Sequence, residues 1–256
     1  MPKKSDVKIP AIYIIRLIVF LFIGVILFWT YSKISTFITT SPMFDVKEVM
    51  VDQSISFIDH RPLKELKGQN IFGVDLIKLH RQIANQYPQI SQLRVVRQLP
   101  DRIMVLAKKR DILLQVQWRN KYLIVDTEGV MMFYTNAPVP FPIVKGIPLE
   151  KYKITLGLPS SIKELNLVLD LIKELRSHPN TAKLRILSVE AGNASKIELL
   201  VMPNIQVIID EDALSAKVAM LEILFQNGKI NWGQVKYIDI RFKEPIIKEN
   251  IDEEKK

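Results

Sequence analysis

Cysteine is absent from this 256-residue chain, so no disulfide, thiolate metal ligand or cysteine nucleophile is available. A domain outside the cytoplasm would have to be held together by packing alone. Glycine and histidine are also scarce, with nine and three residues respectively. The sequence contains no dinucleotide-binding glycine pattern, phosphate-binding loop, H-E-x-x-H motif or G-x-S-x-G turn. We therefore predict a protein that is not an enzyme and has no catalytic residues, cofactor, small-molecule substrate or metal site.

One long apolar run stands near the N-terminus. It extends from Ala11 to Tyr31, interrupted only by Arg16. A membrane-crossing helix needs roughly 20 residues. Basic residues lie mainly before the run, and only Lys33 follows closely, so the positive-inside bias predicts a cytoplasmic N-terminus and an exterior C-terminal part. We predict a cytoplasmic tail at 1–10, a transmembrane helix at 11–31 and a stalk at 32–43.

A cleaved signal peptide is the main alternative for this segment. A signal peptide ends in a small-x-small cleavage site. The residues at the end of the run and after it read YSKISTFITTSPMFD and contain no Ala-x-Ala pattern. A buried helix of a soluble domain fits less well, because the run lacks amphipathic periodicity and would have to be buried all round.

The formal net charge is +9, and the basic residues are scattered among acidic ones. This pattern predicts no nucleic-acid binding, since no aromatic-interleaved basic stripe is present. It is compatible with a modest, salt-screened attraction to anionic lipid headgroups.

The first exterior segment, residues 44–110, has the predicted order strand, helix, helix, strand, strand. The first strand is predicted at Phe44–Val51 and the first helix at Phe57–Leu66. Asp75 is predicted to cap the second helix, which ends before Pro88. Two strands, Ser91–Leu99 and Arg102–Lys108, complete the module.

Residues 111–243 are predicted to form a second domain that begins with a three-strand meander from Ile112 to Tyr134. A proline-rich stretch then leads to Ile143–Gly146, which we interpret as a connector. Ser161 and Glu164 have capping-box spacing at the start of a helix whose apolar residues face a sheet.

The remainder of this domain is predicted to hold further strands and a second helix. The expected elements are strands at Ile186–Glu190, Lys196–Val201, Ile205–Ile209 and Gln234–Phe242, and a helix over Ala213–Gln226 that ends at Asn227-Gly228. Residues 244–256 are predicted to be a charged flexible tail. The predicted fold class is α+β: an N-terminal transmembrane helix, a β-α-α-β-β module, and an antiparallel β-sheet domain with two packed helices.

Several motifs in this order resemble the FtsQ/DivIB family of bacterial cell-division proteins, in which the β-α-α-β-β module is a POTRA module. The segments that carry the resemblance are Phe44-x-Val46-x-x-Val49-x-Val51, VVRQLPDRIMV (Val95–Val105), YLIVDTEGVMM (Tyr122–Met132), Pro142-Ile143-Val144-Lys145-Gly146 and YIDIRF (Tyr237–Phe242). The chain resembles a divergent member, because it departs from the family pattern at Gln53, Leu99, Lys109 and Ile112.

The resemblance implies a non-catalytic divisome scaffold of the bacterial cell (inner) membrane at the division septum. It implies partners that are themselves membrane-anchored division proteins, FtsB/FtsL-like or DivIC-like. In the family, the last strand of the β-domain receives a partner segment by strand addition. The corresponding positions here are Tyr237, Ile238, Asp239, Ile240, Arg241 and Phe242.

The residues of that strand also have a purely structural interpretation. Alternation places Ile238 and Ile240 on the core face, with Phe242 on the same side. Arg241 is either a partner contact or solvated surface. Likewise, Asp126 and Gly129 are interpreted as residues of a tight turn.

Two other functions remain open from sequence. A membrane-anchored factor of transport or envelope assembly would also carry a POTRA module, usually ahead of a long series of barrel strands, and no such series follows Phe242. A hydrolase of cell-wall polymer would need an acid/base pair in a cleft.

Overall fold

The computed structural model describes residues 11–226 and 230–249. These residues form two compact units. The first unit takes the chain up to Gln82 together with Gln92–Ala107, and the second takes Ile83–Ser91 together with the chain from Lys108 onward.

The N-terminal element is a single long helix, α1 (Ala11–Thr40). The part from Ile15 to Thr40 is long and apolar enough to cross a membrane, and its most apolar stretch is not buried against the rest of the described protein. This arrangement fits a single-pass membrane protein. The helix continues beyond Tyr31 through most of the predicted stalk.

The first unit confirms the predicted order strand, helix, helix, strand, strand. Its elements after α1 are β1 (Glu48–Val51), α2 (Arg61–Lys64), α3 (Leu76–Gln86), β2 (Ile90–Gln98) and β3 (Arg102–Lys109). The sheet order is β1-β3-β2, with β1 parallel to β3.

Two elements of the first unit are shorter than predicted. Strand β1 begins at Glu48, since Pro42–Phe44 forms a 3₁₀ turn instead. Helix α2 covers four residues, with Pro62 in its first turn, where proline is tolerated. The predicted cap of α3 is confirmed: Asp75 Oδ1 accepts the N–H groups of Ile77 and Lys78 at 3.0 and 2.9 Å.

The second unit is built on a nine-stranded sheet within the described residues. Its strands are β4 (Ile112–Trp118), β5 (Lys121–Asp126), β6 (Met131–Thr135), β7 (Ile143–Lys145), β8 (Ile186–Glu190), β9 (Ile197–Val201), β10 (Ile205–Ile209), β11 (Val235–Asp239) and β12 (Ile246–Glu249). The order across the sheet is β12-β11-β10-β9-β8-β7-β4-β5-β6. The α+β class is confirmed, and the predicted meander is β4-β5-β6.

The sheet is mixed, which corrects the prediction of an antiparallel domain. Strand β7 is parallel to both β4 and β8, and β10 is parallel to β11. The interpretation of Ile143–Gly146 as a connector is wrong, because Ile143–Lys145 is β7 and fills the centre of the sheet. Gln115 holds the approach to β7 from a fully buried position. Its Nε2 donates to the carbonyls of Val139 and Phe141 at 2.6 and 2.7 Å, and its Oε1 accepts the N–H of Val139.

Two helices, α4 (Lys163–Ser177) and α5 (Leu214–Gln226), supply the helical part of the core. The predicted core face of α4 is confirmed, since its six periodic apolar residues are buried: Ile162, Leu165, Val168, Leu169, Ile172 and Leu175. The predicted capping box is wrong. Helix α4 begins at Lys163, and Ser160 Oγ accepts the N–H of Ile162 just before it. Glu164 instead accepts a hydrogen bond from the Tyr152 hydroxyl.

The C-terminal part differs from prediction in one respect that bears on function. The strand predicted at Gln234–Phe242 is β11 and ends at Asp239. The chain then turns and returns as β12, which pairs antiparallel with β11. Residues 246–249 are thus a strand where a flexible tail was predicted. The predicted end of α5 at Asn227-Gly228 and residues 250–256 of the tail lie outside the described residues.

Candidate partner-binding edge

Strand β11 is the second strand from one edge of the sheet. Strand β10 pairs with it on one side and β12 on the other. The expectation that Tyr237–Phe242 belongs to the last strand of the domain is wrong in this structure, and the strand is therefore not an edge. The physical reason is the short apolar pair Ile246-Ile247, whose second residue is half-buried and packs against the core of the unit.

Alternation correctly predicts the burial of Ile238 and Ile240, but Val235 and Asp239 are buried as well. Ile238 and Ile240 have no exposed surface, and the Ile240 N–H donates to the Ile208 carbonyl at 2.9 Å. Phe242 is 52% exposed, so its placement on the core side is wrong. It lies beyond the end of the strand, where the two-residue alternation no longer applies.

Asp239 and Arg241 form a closed ion pair at the end of β11. The Arg241 Nε and Nη2 atoms lie 3.0 and 2.7 Å from the two carboxylate oxygens of Asp239, and the Arg241 N–H also donates to Asp239. The hydrogen bond from the Arg241 side chain lowers the pKa of Asp239 below its ordinary value, with burial opposing it. The same hydrogen bond raises the pKa of Arg241. The planar two-point geometry fixes the guanidinium in place.

The Arg241 guanidinium also faces the Phe242 ring, with its carbon 5.5 Å from the ring centroid. The two residues, which the family resemblance places in the partner-binding segment, lie together. Because its head group is held by Asp239, Arg241 presents a fixed cation and Phe242 an exposed apolar ring. Arginine and aromatic side chains of this kind are enriched at binding hot spots.

The outer edge of the sheet on this side is β12. The Ile240 N–H points toward β10, and by two-residue alternation so does that of Ile238. Ile247 lies opposite Ile238, and the two form a non-hydrogen-bonded pair of the antiparallel β11–β12 ladder. The N–H and C=O groups of Ile247 therefore point away from β11, toward the outside of the sheet. An edge of this kind can pair with an incoming strand.

The face of the sheet opposite the helices carries a polar cleft of about 340 Å³ beside β11. Lys145, Glu190, Glu198, Gln206 and Lys236 are among the residues that line it. Glu190 and Glu198 are paired in register on β8 and β9, and Glu198 is bonded to Lys196 and Gln206. Within residues 11–226 and 230–249, no three histidine, aspartate or glutamate side chains are placed to hold a metal ion.

The tight turn between β5 and β6 has a partner, Arg110, that the sequence did not predict. Asp126 is buried and accepts the N–H groups of Glu128 and Val130, as expected of a turn residue, and Gly129 has φ +81°. Arg110 also donates to Asp126 at 2.6 Å and to Glu128 at 2.9 Å. Burial acts to lower the pKa of Arg110, and these hydrogen bonds outweigh it and raise the pKa. Nothing in the sequence spacing of Arg110 from the turn predicts this contact.

These features define a class: a protein with one apolar N-terminal helix, a small α+β unit, and a larger mixed-sheet unit whose outermost strand among the described residues is β12. No family model matches the chain. Two curated relatives are similar to it. The cell division protein DivIB of Clostridium tetani is 26% identical over 216 residues, covering 80% of each chain. The DivIB of Clostridium acetobutylicum is 28% identical over 134 residues, covering 50% of this chain and 53% of its own.

The resemblance to the FtsQ/DivIB family is confirmed by these relatives, at the identity expected for a divergent member. Among solved structures, the major extracytoplasmic domain of DivIB from Geobacillus stearothermophilus matches at 12% identity and a TM-score of 0.30. That match covers 44% of this chain and 87% of the solved one.

Proposed function

We propose that this protein is a non-catalytic scaffold of bacterial cell division, anchored in the cell membrane at the septum. The names of its two curated relatives support a role in cell division. In this proposal the scaffold binds other membrane-anchored division proteins, FtsB/FtsL-like or DivIC-like, and helps recruit or regulate septal wall synthesis.

The proposed organisation assigns a task to each predicted segment. The tail 1–10 is cytoplasmic, 11–31 spans the membrane, and 32–43 raises a POTRA-like module at 44–110 above it. The β-domain at 111–243 then carries the recognition surface. Basic residues concentrated before the apolar run support this orientation.

The observation that carries the proposal is the open edge at β12. Strand addition needs a row of unpaired backbone groups with side chains that accept a neighbour. The outward N–H and C=O of Ile247 meet the first need. Exposed Ile246 and Phe242, with Arg241 held beside Phe242, meet the second. In this proposal the predicted residues Tyr237–Phe242 support β12, the strand to which the partner adds. Arg241 and Phe242 flank β12.

A proline substitution at Ile247 tests this proposal. Ile247→Pro removes the outward donor at the edge, whereas proline at an edge position is otherwise tolerated by a sheet. Ile247→Ala is the matched control, because it keeps the N–H and removes most of the side chain. We expect the full-length Ile247→Pro protein to lose at least about tenfold in co-purification of a DivIC-like partner from membranes, equivalent to about 1.4 kcal/mol.

The control should retain most of the partner. Equal recovery of the partner with the proline and alanine variants would place the partner site elsewhere. Hydrogen exchange of the β10 and β11 amides reports whether the sheet stays folded in each variant.

A further inference from the structure

The first unit carries an exposed aromatic surface at the C-terminal end of α1. Three phenylalanine rings stand in a row: Phe37 on the helix, Phe44 after it, and Phe72 before α3. Phe37 and Phe44 are 6.1 Å apart edge-to-face, and Phe44 and Phe72 are 5.4 Å apart in similar geometry. Phe37 is 58% exposed and Phe72 39%, and Met43 beside them is 56% exposed. Together these four residues form the aromatic ledge.

The helix is fixed to the first unit at this point without a flexible linker. The side-chain amide of Asn70 donates to the Ile38 carbonyl of the last helical turn at 2.9 Å. The Ile71 N–H donates to the Phe44 carbonyl, and Val46 is bonded to Gln69 and Gly68 through its backbone. The height of the ledge above a membrane is therefore determined by where the bilayer lies along α1.

The charges on α1 locate the bilayer. Arg16 and Lys33 are the charged residues of this helix, and centring a hydrocarbon layer of about 30 Å between them ends it near residue 34, at 1.5 Å per residue. Trp29 and Tyr31 then lie about 8 and 5 Å inside this outer boundary of the hydrocarbon layer. The headgroup layer extends roughly 5–7 Å further, to about residue 39. Phe37 falls inside that layer, and the rest of the ledge lies at its outer boundary.

Two basic residues near the starts of β1 and β3 are paired within the protein. Lys47 is 2.8 Å from Asp101, and Arg102 is 3.6 Å from Glu48. The four side chains of the ledge themselves carry no charge. Its exposed aromatic and methionine side chains offer apolar area, the property that holds interfacial segments at the boundary between headgroups and acyl chains.

We propose that the aromatic ledge is a lipid-contacting surface that seats the first unit on the outer face of the membrane. The proposal rests on the membrane anchoring put forward above, and is independent of partner binding at β12. The favoured occupant is the bilayer itself, because the end of α1 delivers the ledge to the headgroup layer.

Because the chain has no cysteine, single cysteines can carry a polarity-sensitive fluorophore at chosen positions of the full-length protein. The variants Phe72→Cys and Met43→Cys place it on the ledge. Phe57→Cys is the matched control, since Phe57 is 44% exposed and follows a turn bonded to the far end of β3 through Ser54 and Ala107. Ile23→Cys places the probe in the middle of α1. Each protein is reconstituted in phosphatidylcholine–phosphatidylglycerol vesicles that contain lipids spin-labelled at the headgroup or within the acyl chain.

We expect headgroup-labelled lipid to quench the probe at positions 72 and 43 by about half, and to leave position 57 nearly unchanged, because contact of this type reaches only 5–10 Å into the boundary. The quenching should persist at 0.5 M salt, since the contact is apolar. Equal quenching at 72 and 57, or loss of quenching in salt, would overturn the proposed ledge. Absence of acyl-chain quenching at position 23 would instead overturn the membrane anchoring.

Discussion

At the scale of single residues, the buried polar side chains determine local structure that hydrophobic patterning does not describe. Glu222 on α5 is 5% exposed and accepts the N–H groups of Asn180 and Thr181 and the Asn180 side-chain amide. Glu222 thereby satisfies the backbone N–H groups of the segment that follows α4. Sequence periodicity placed α5 correctly but showed no reason for an acid on its buried side.

Glu222 gives a prediction about pH. Burial acts to raise the pKa of Glu222, and the hydrogen bonds from Thr181 and Asn180 outweigh it, so the pKa lies below its ordinary value of 4.5. A carboxyl whose folded pKa is lowered stabilises the fold above its unfolded pKa, and that stabilisation is lost as pH falls through the folded value. We expect Glu222→Gln to lower the unfolding midpoint at pH 7 and to differ progressively less from the parent below pH 4.5. Chemical denaturation across pH measures this.

The exposed Glu150 provides the control for that series. Glu150→Gln should leave the midpoint nearly unchanged at every pH. A constant gap between Glu222→Gln and the parent down to strongly acidic pH would contradict the assigned role.

At the scale of secondary-structure elements, the sequence predicts those whose pattern is local. Strands β8 and β10 and the core face of α4 follow directly from alternation or helical spacing. Strand β7 was missed because three residues after a run of prolines carry no periodic signal, and because its parallel neighbours are distant in sequence. Strand β12 was missed because its four residues merge into a charged tail. Both segments are strands because they pair with other strands of the sheet, which a local sequence pattern does not show.

Gln115 makes the role of β7 testable. Its side chain satisfies Val139 and Phe141 on the segment that leads into β7. Gln115→Leu keeps the volume and removes those bonds, leaving part-buried backbone groups unpaired. We expect a loss of about 2–4 kcal/mol in the free energy of unfolding, from one to three kcal/mol for each unsatisfied group.

Gln117 on the same strand is exposed and serves as the comparison. Gln117→Leu should change the free energy of unfolding by less than about 0.5 kcal/mol, as for other surface positions. Similar losses for the two variants would show that the Gln115 side chain does not hold the β7 approach.

At the scale of the whole molecule, the arrangement of one apolar helix ahead of two units could be predicted from composition and order. The partner-binding site at Tyr237–Phe242 stays a prediction, and the structure adds one strand, β12, outside the strand that carries those residues. The number of strands that follow a motif is a property of the entire sheet. A motif alone therefore proposes a strand for the site without fixing which backbone groups are free.

The proposed orientation can be measured on the whole protein. Ser195 lies in the exposed turn between β8 and β9. We expect Ser195→Cys in intact protoplasts to react with a membrane-impermeant maleimide to the same extent as after lysis, because the second unit is proposed to lie outside. Labelling that requires lysis would reverse the orientation. The cysteine-free parent provides the background.

The four-residue strand β12 also acts as a competitor within the molecule. A partner segment that requires β11 itself can bind only the fraction of molecules in which β12 has detached. If detachment costs about 2 kcal/mol, the apparent affinity of such a segment falls roughly 30-fold. A segment that adds outside β12 bears no such penalty. Under the proposed strand addition, the sheet would therefore discriminate among incoming strands by where they dock, and any change that loosens Ile247 from the core would widen the range of segments it accepts.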